Sequence, residues 1–177
     1  MRFIQRVLPI TLSIACSLTL SAFGQKVIPP SNTSGVLLTV GGKVAHPLSL
    51  TRADLDKFTR QAIKAKGSNG KEHNYEGVAV GDILQKAGVE FGEALHQDAA
   101  ATYLLAEAAD GYQVVFALPE FDSPSIDRLI LIADRQDGNP IPAASGPLQL
   151  IAPGDKGHGR WVRQIKSLTL VRAPKNK

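Results

Sequence analysis

Gly146-Pro147-Leu148-Gln149-Leu150-Ile151-Ala152-Pro153-Gly154-Asp155-Lys156-Gly157-His158-Gly159-Arg160-Trp161-Val162-Arg163 is the stretch whose reading decides the fold. Leu148, Leu150 and Ala152 recur with the two-residue period of a half-buried strand, and Pro153-Gly154 breaks it into a loop. Glycines in that loop let backbone N–H groups approach a ligand closely. Lys156, Arg160 and Arg163 add the donors and positive charge that a phosphate or a sulfur oxyanion requires. The same composition also describes a solvated basic loop capping a strand, because charge without geometry names no ligand.

Outward from this stretch, 177 residues make a single domain large enough to bury a core without staples. Residues 1–24 read as a signal peptide: Arg2 and Arg6 form a positive start, Val7 to Leu20 an apolar run, and Ala22-Phe23-Gly24 a cleavage site of small residues. The apolar run is shorter than the ~20 residues of a spanning helix, so no stable membrane anchor is expected. A periplasmic or secreted destination follows. The chain's one cysteine, Cys16, lies inside that signal, so the mature chain has neither disulfide nor thiolate. Loss of Arg2 and Arg6 from the 20 Lys plus Arg leaves 18 against 16 Asp plus Glu, a balance that disfavours nucleic acid as a partner.

Residues 25–34 are Pro- and Ser-rich and read as a flexible leader, and residues 173–177 as a polar tail, which leaves 35–172 for the domain. Val36 to Val40 and Lys43 to Leu48 are expected as strands around Gly41-Gly42. Thr51 with Asp54 three residues on predicts a capped helix, with Leu55, Phe58 and Ala62 on one face and an end near Gly67. The turn at Lys66 to Lys71 then leads into a strand from Glu72. Val80, Ile83, Leu84 and Ala87, stopped by Gly88, predict a second helix of about two turns. Asp110-Gly111 between Thr102–Ala108 and Tyr112–Leu118 predicts a hairpin with a type I′ turn. Leu129 to Ala133, Leu148 to Ala152 and Ser167 to Val171 complete the strands. Strands thus outnumber helices and do not alternate with them regularly, which defines an α+β domain of several small sheets.

The closing segment GPLQLIAPGDKGHGRWVRQIKSLTL resembles that of the oxidoreductase molybdopterin-binding domain, the fold of sulfite oxidase. The resemblance extends in order through Leu50-Thr51-Arg52-Ala53-Asp54-Leu55, Tyr75-Glu76-Gly77-Val78 with Asp82-Ile83-Leu84, Asp110-Gly111-Tyr112, Leu131-Ile132-Ala133 and Asp137-Gly138-Asn139-Pro140, covering about Gly35 to Arg172. It implies a mixed, strand-rich sulfite-oxidase-type fold with two short helices, and a molybdopterin cofactor. It also implies a molybdenum-bound cysteine between the first helix and Tyr75. Here that interval, Gln61 to Asn74, holds none, so no catalytic residue is assigned and molybdenum is not expected to bind.

The candidate ligand-binding residues are Lys156, His158, Arg160, Trp161, Arg163 and Tyr112. Arg163 is expected on the strand face of Arg160, doubling its charge. Trp161 is open between a core anchor and a wall for a ligand ring. Asp110 and Tyr112 are open between ligand contact and turn structure. His46, His73, His96 and His158 show no metal-ligand spacing, and no metal site is assigned. Three functions follow: an exported binding module for an anionic ligand of pterin or phosphate type without molybdenum turnover, a molybdopterin-dependent oxidoreductase, or a structural or partner-binding domain with an empty pocket. Whether the chain is an enzyme stays open at this point.

Overall fold

The computed structural model describes residues 35–92, 101–122 and 127–174, which fall in one compact unit. The expected signal peptide and leader, His96 and the last three residues of the expected tail lie outside the described residues. Among the described residues ten strands form two five-stranded sheets around one core. The first sheet runs β2 (Leu48–Thr51), β1 (Val36–Gly42), β10 (Ile165–Arg172), β5 (Thr102–Ala108), β6 (Gln113–Ala117). The second runs β3 (Arg60–Lys66), β4 (Glu72–Ala79), β7 (Leu131–Gln136), β8 (Asn139–Pro140), with β9 (Gln149–Ile151) also on β7. All these pairs are antiparallel except β1 with β10, which is parallel, with Thr39 opposite Ser167. The architecture is the strand-rich α+β arrangement expected, with two short helices, α1 (Arg52–Leu55) and α2 (Val80–Lys86).

Two expected elements are corrected. The second strand begins at Leu48 instead of Lys43. Gly42 turns out of the first sheet with φ of 83°, and a Cβ there would lie 2.2 Å from the Leu170 carbonyl oxygen. Lys43 N–H then donates to that same oxygen, and His46 N–H to Ala87 O, so the chain bends toward α2 before it can pair. The larger correction concerns the first helix. Its capping box is present, with Thr51 Oγ1 accepting from Asp54 N–H and the Asp54 carboxylate accepting from Thr51 N–H. After one turn, however, the chain straightens into β3, which pairs residue by residue with β4 from Arg60 opposite Val78 to Lys66 opposite Glu72. Gln61, Ile63 and Ala65 face inward and Arg60, Ala62, Lys64 and Lys66 outward, a period of two that outcompetes the helical spacing of Leu55, Phe58 and Ala62. Arg52 and Arg60 converge on the buried carboxylate of Asp134 and fix the bend between α1 and β3.

Elsewhere the patterns hold. Helix α2 buries Val80, Ile83 and Leu84, and Gly88 ends it with φ of 85°. The β5–β6 hairpin forms around Asp110-Gly111, although the turn is not type I′. Only Gly111 has positive φ, Gly111 N–H donates to Ala108 O, and Ala108 N–H to Tyr112 O, so a right-handed turn is followed by a glycine bulge.

Candidate functional site

The quoted stretch folds as an excursion with a pinned neck. Leu150 N–H donates to Val162 O, and the Trp161 indole N–H donates to Ala152 O at 2.7 Å, so β9 and the Trp161-Val162 segment lie side by side while Pro153 to Arg160 loops out. Trp161 is 9% exposed and its N–H closes the neck, which satisfies the anchor reading. Its ring also contributes to the walls of two cavities.

The inner cavity, of about 160 Å³, lies between the β3–β4 turn (Gly67, Asn69, His73, Tyr75) and the segment carrying Ser145, Gln149, His158 and Arg163. The outer one, of about 270 Å³, is bounded by Asp110, Tyr112 and Gly159. His158, Trp161 and Arg163 belong to both walls. His158 Nε2 donates to the Lys66 carbonyl at 2.6 Å, which ties the loop to the β3–β4 turn and leaves Nδ1 as the ring's acceptor when it is neutral. A run of edge-to-face rings follows the inner wall: His158 to Trp161 at 4.5 Å, Trp161 to Tyr75 at 5.5 Å, and Tyr75 to His73 at 6.1 Å. His73 is held from behind by Asp137, whose Oδ2 lies 2.6 Å from Nδ1. The backbone N–H of Asn74 and the His73 ring keep the Asp137 carboxyl below the usual carboxylate range.

The six residues singled out by sequence divide three ways. His158, Trp161 and Arg163 come together on the shared wall. Tyr112 reaches only the outer cavity, where its hydroxyl donates to Gly159 O at 2.5 Å, while Asp110 caps the hairpin by accepting Tyr112 N–H. Lys156 is exposed and Arg160 is turned away, so neither lines either cavity. The Arg160 guanidinium is bonded twice to Asp155, at 2.7 and 2.8 Å, and to Glu120 at 2.9 and 3.1 Å, with Cζ 4.7 Å above the Phe116 ring. Arg128 pairs with the same two carboxylates, so four charges alternate in sign. The Arg160 hydrogen bonds lead the causes that hold the Asp155 carboxyl below its usual range. Arg160 and Arg163 therefore do not share a strand face. Arg160 is held by Asp155 and Glu120, whereas Arg163 lines the two cavities.

Sequence reasoning missed Tyr75, His73, Asn69 and Gln149. Gln149 carried a legible signal, a polar residue at the centre of the apolar run Leu148-Gln149-Leu150. The others reach the cavity through the β3–β4 hairpin, which the expected helix had hidden. Among the described residues no group of three or more His, Cys, Asp or Glu is placed to hold a metal ion, and no helix is long and apolar enough to cross a membrane.

Two interleaved small sheets with a polar cavity at the β3–β4 turn and the segment around Trp161 define a strand-rich domain of the sulfite oxidase type. The model of the oxidoreductase molybdopterin binding domain matches residues 26–177, and the chain belongs to that family. It is 30% identical over 165 residues to a nitrate reductase [NADPH] of Fusarium oxysporum, a match covering 76% of this chain and 17% of that protein. The crystal structure of the sulfane dehydrogenase SoxCD from Paracoccus pantotrophus superposes with a TM-score of 0.60 at 22% identity, covering 75% of this chain and 37% of that one. The chain thus spans well under half the length of either relative.

Proposed function

We propose that this chain is an exported binding module that holds an anionic ligand of pterin or phosphate type against Arg163 and does not turn over on molybdenum. The observation that carries this reading is Arg163 itself. Among the described residues it lines both cavities without a carboxylate partner, whereas Arg52, Arg60, Arg128 and Arg160 are each paired.

The family's cofactor fits this chain in part. Neither cavity alone reaches the ~300 Å³ at the low end for drug-sized ligands, but the pair, joined at His158, Trp161 and Arg163, does. Tyr75, Trp161 and His158 would wall a planar ring, and Arg163 would meet a phosphate. The metal does not fit. The soft thiolate it needs is missing, because Cys16 is the chain's one cysteine and the cavity offers only nitrogen and oxygen donors. Export supports the same reading. Arg2 and Arg6 are separated by three residues, so the signal has no twin-arginine pair of the kind that carries folded, cofactor-loaded proteins across a membrane.

The test is the molybdenum-to-protein ratio by mass spectrometry, together with an assay for released pterin, on protein purified mildly from its own host. A ratio far below one per chain is expected. A ratio near one would overturn the reading and restore the oxidoreductase.

A further inference from the structure

Among the described residues no Asp or Glu lines the inner cavity, and the one fixed cation on its wall is Arg163. Two of its polar side chains, Tyr75 at 4% and Gln149 at 8% exposed, make no hydrogen bond among the described residues, and their polar atoms are not themselves buried, so both open onto the cavity they line. The two side chains are otherwise enclosed, so the polar ends left open on the cavity are placed to bond its contents. Burial also pushes the Tyr75 phenol upward, which keeps its proton available for donation. The floor beneath them is bare. A point one bond from the Cα of Gly67, where a side chain would begin, lies 3.2 Å from Tyr75 Oη, 3.2 Å from Asn69 Oδ1 and 3.0 Å from the His73 ring. Three side chains from one hairpin thus converge above a glycine.

Size and charge then narrow the ligand. A volume of about 160 Å³ corresponds to about five waters at ~30 Å³ each, too little for a nucleotide or a whole pterin with its phosphate. One guanidinium balances one negative charge, and a planar fork matches a carboxylate or a similar oxyanion through two parallel hydrogen bonds.

We propose that the inner cavity is a site for a small monoanion with an oxyanion head, a short carboxylate or an inorganic oxyanion, whose charge Arg163 takes and whose oxygens accept from Tyr75 and Gln149. This rests on the anion-binding reading above and goes beyond it in ligand class and in residues. Neutral donors at the inner end favour a ligand with a second oxygen there, such as the hydroxyl of a 2-hydroxy acid.

Calorimetric titration of the mature chain with glycolate, inorganic phosphate and a phosphorylated pterin tests this. Saturable binding of glycolate or phosphate is expected, the two probes separating an organic from an inorganic source. Arg163→Ala should weaken binding by about tenfold or more, and Tyr75→Phe, which keeps the ring and removes only the hydroxyl, by about three- to tenfold. Gly67→Ala, whose methyl occupies the floor at ordinary φ, should lower affinity further while melting temperature shows that the chain still folds. Binding of the pterin alone would overturn the small-anion site and leave the broader reading in place. Binding of none of the three probes would sink both. Small-anion binding indifferent to Arg163→Ala and Tyr75→Phe would place the anion elsewhere and overturn the assignment.

Discussion

Arg160 and Arg163 stand three residues apart in one basic run, yet the fold gives them opposite duties. Arg160 completes a ring of alternating charge with Asp155, Arg128 and Glu120 and lies over Phe116, so its loss leaves two partly buried carboxylates with one cation between them. Arg160→Ala is expected to cost about 1–3 kcal/mol, whereas Arg163→Ala, on an exposed residue with no partner among the described residues, should stay within ~0.5 kcal/mol. Chemical denaturation of both variants decides this, and equal losses would remove the distinction. Asp155 sets the acid limb. Its folded-state pKa is depressed below the unfolded value, so the stability it contributes is complete above the ordinary aspartate range, ~4, and is lost as pH falls toward the depressed value. The melting temperature should therefore fall less steeply between about pH 5 and pH 2 in Asp155→Asn than in the parent. Equal slopes would assign acid lability to other carboxylates. None of this was legible in the basic loop, because Glu120 lies 40 positions before Arg160 and no local spacing joins them.

Among the elements, those with strong local signals were readable. Helix α2, the β5–β6 hairpin and the last strand follow from apolar period and turn residues. The stretch after Thr51 was not, since Arg60 to Lys66 carries a helix-compatible composition and becomes a strand only because β4 lies beside it. The turn at Lys66 to Lys71 was legible, but without β3 it could not be recognised as the tip of a hairpin that forms half of the candidate site. Gly77 explains the tightness of β4 against its other neighbour. A Cβ at Gly77 would lie 2.0 Å from the Ile132 carbonyl oxygen and 2.7 Å from Ala133 Cα, backbone atoms that cannot swing aside, at the point where the β4–β7 register shifts. Gly77→Ala is expected to destabilise by about 3 kcal/mol or more through forced separation of β4 from β7. Thermal unfolding checks it, and a loss under 1 kcal/mol would mean that the two strands can slide apart freely.

For the molecule as a whole, the family and the fold class were legible because the motifs occur in order along the chain. The cavity was not, since it forms only where the β3–β4 turn and the Trp161 segment, some 90 residues apart, are tied by the bond from His158 to Lys66. The parallel contact of β1 with β10 has a mechanical consequence. Thr39 to Gly42 run alongside Ser167 to Leu170 in the same direction, so tension applied at Val36 and Arg172 drags these two strands past one another along their length. Every hydrogen bond between them then bears load at once. Handles at Thr102 and Ala117 instead sit at adjacent ends of an antiparallel pair and part β5 from β6 one bond at a time. Single-molecule stretching is expected to give a distinctly higher rupture force from the first pair of handles than from the second, and equal forces would show that the first sheet yields somewhere other than its β1–β10 seam.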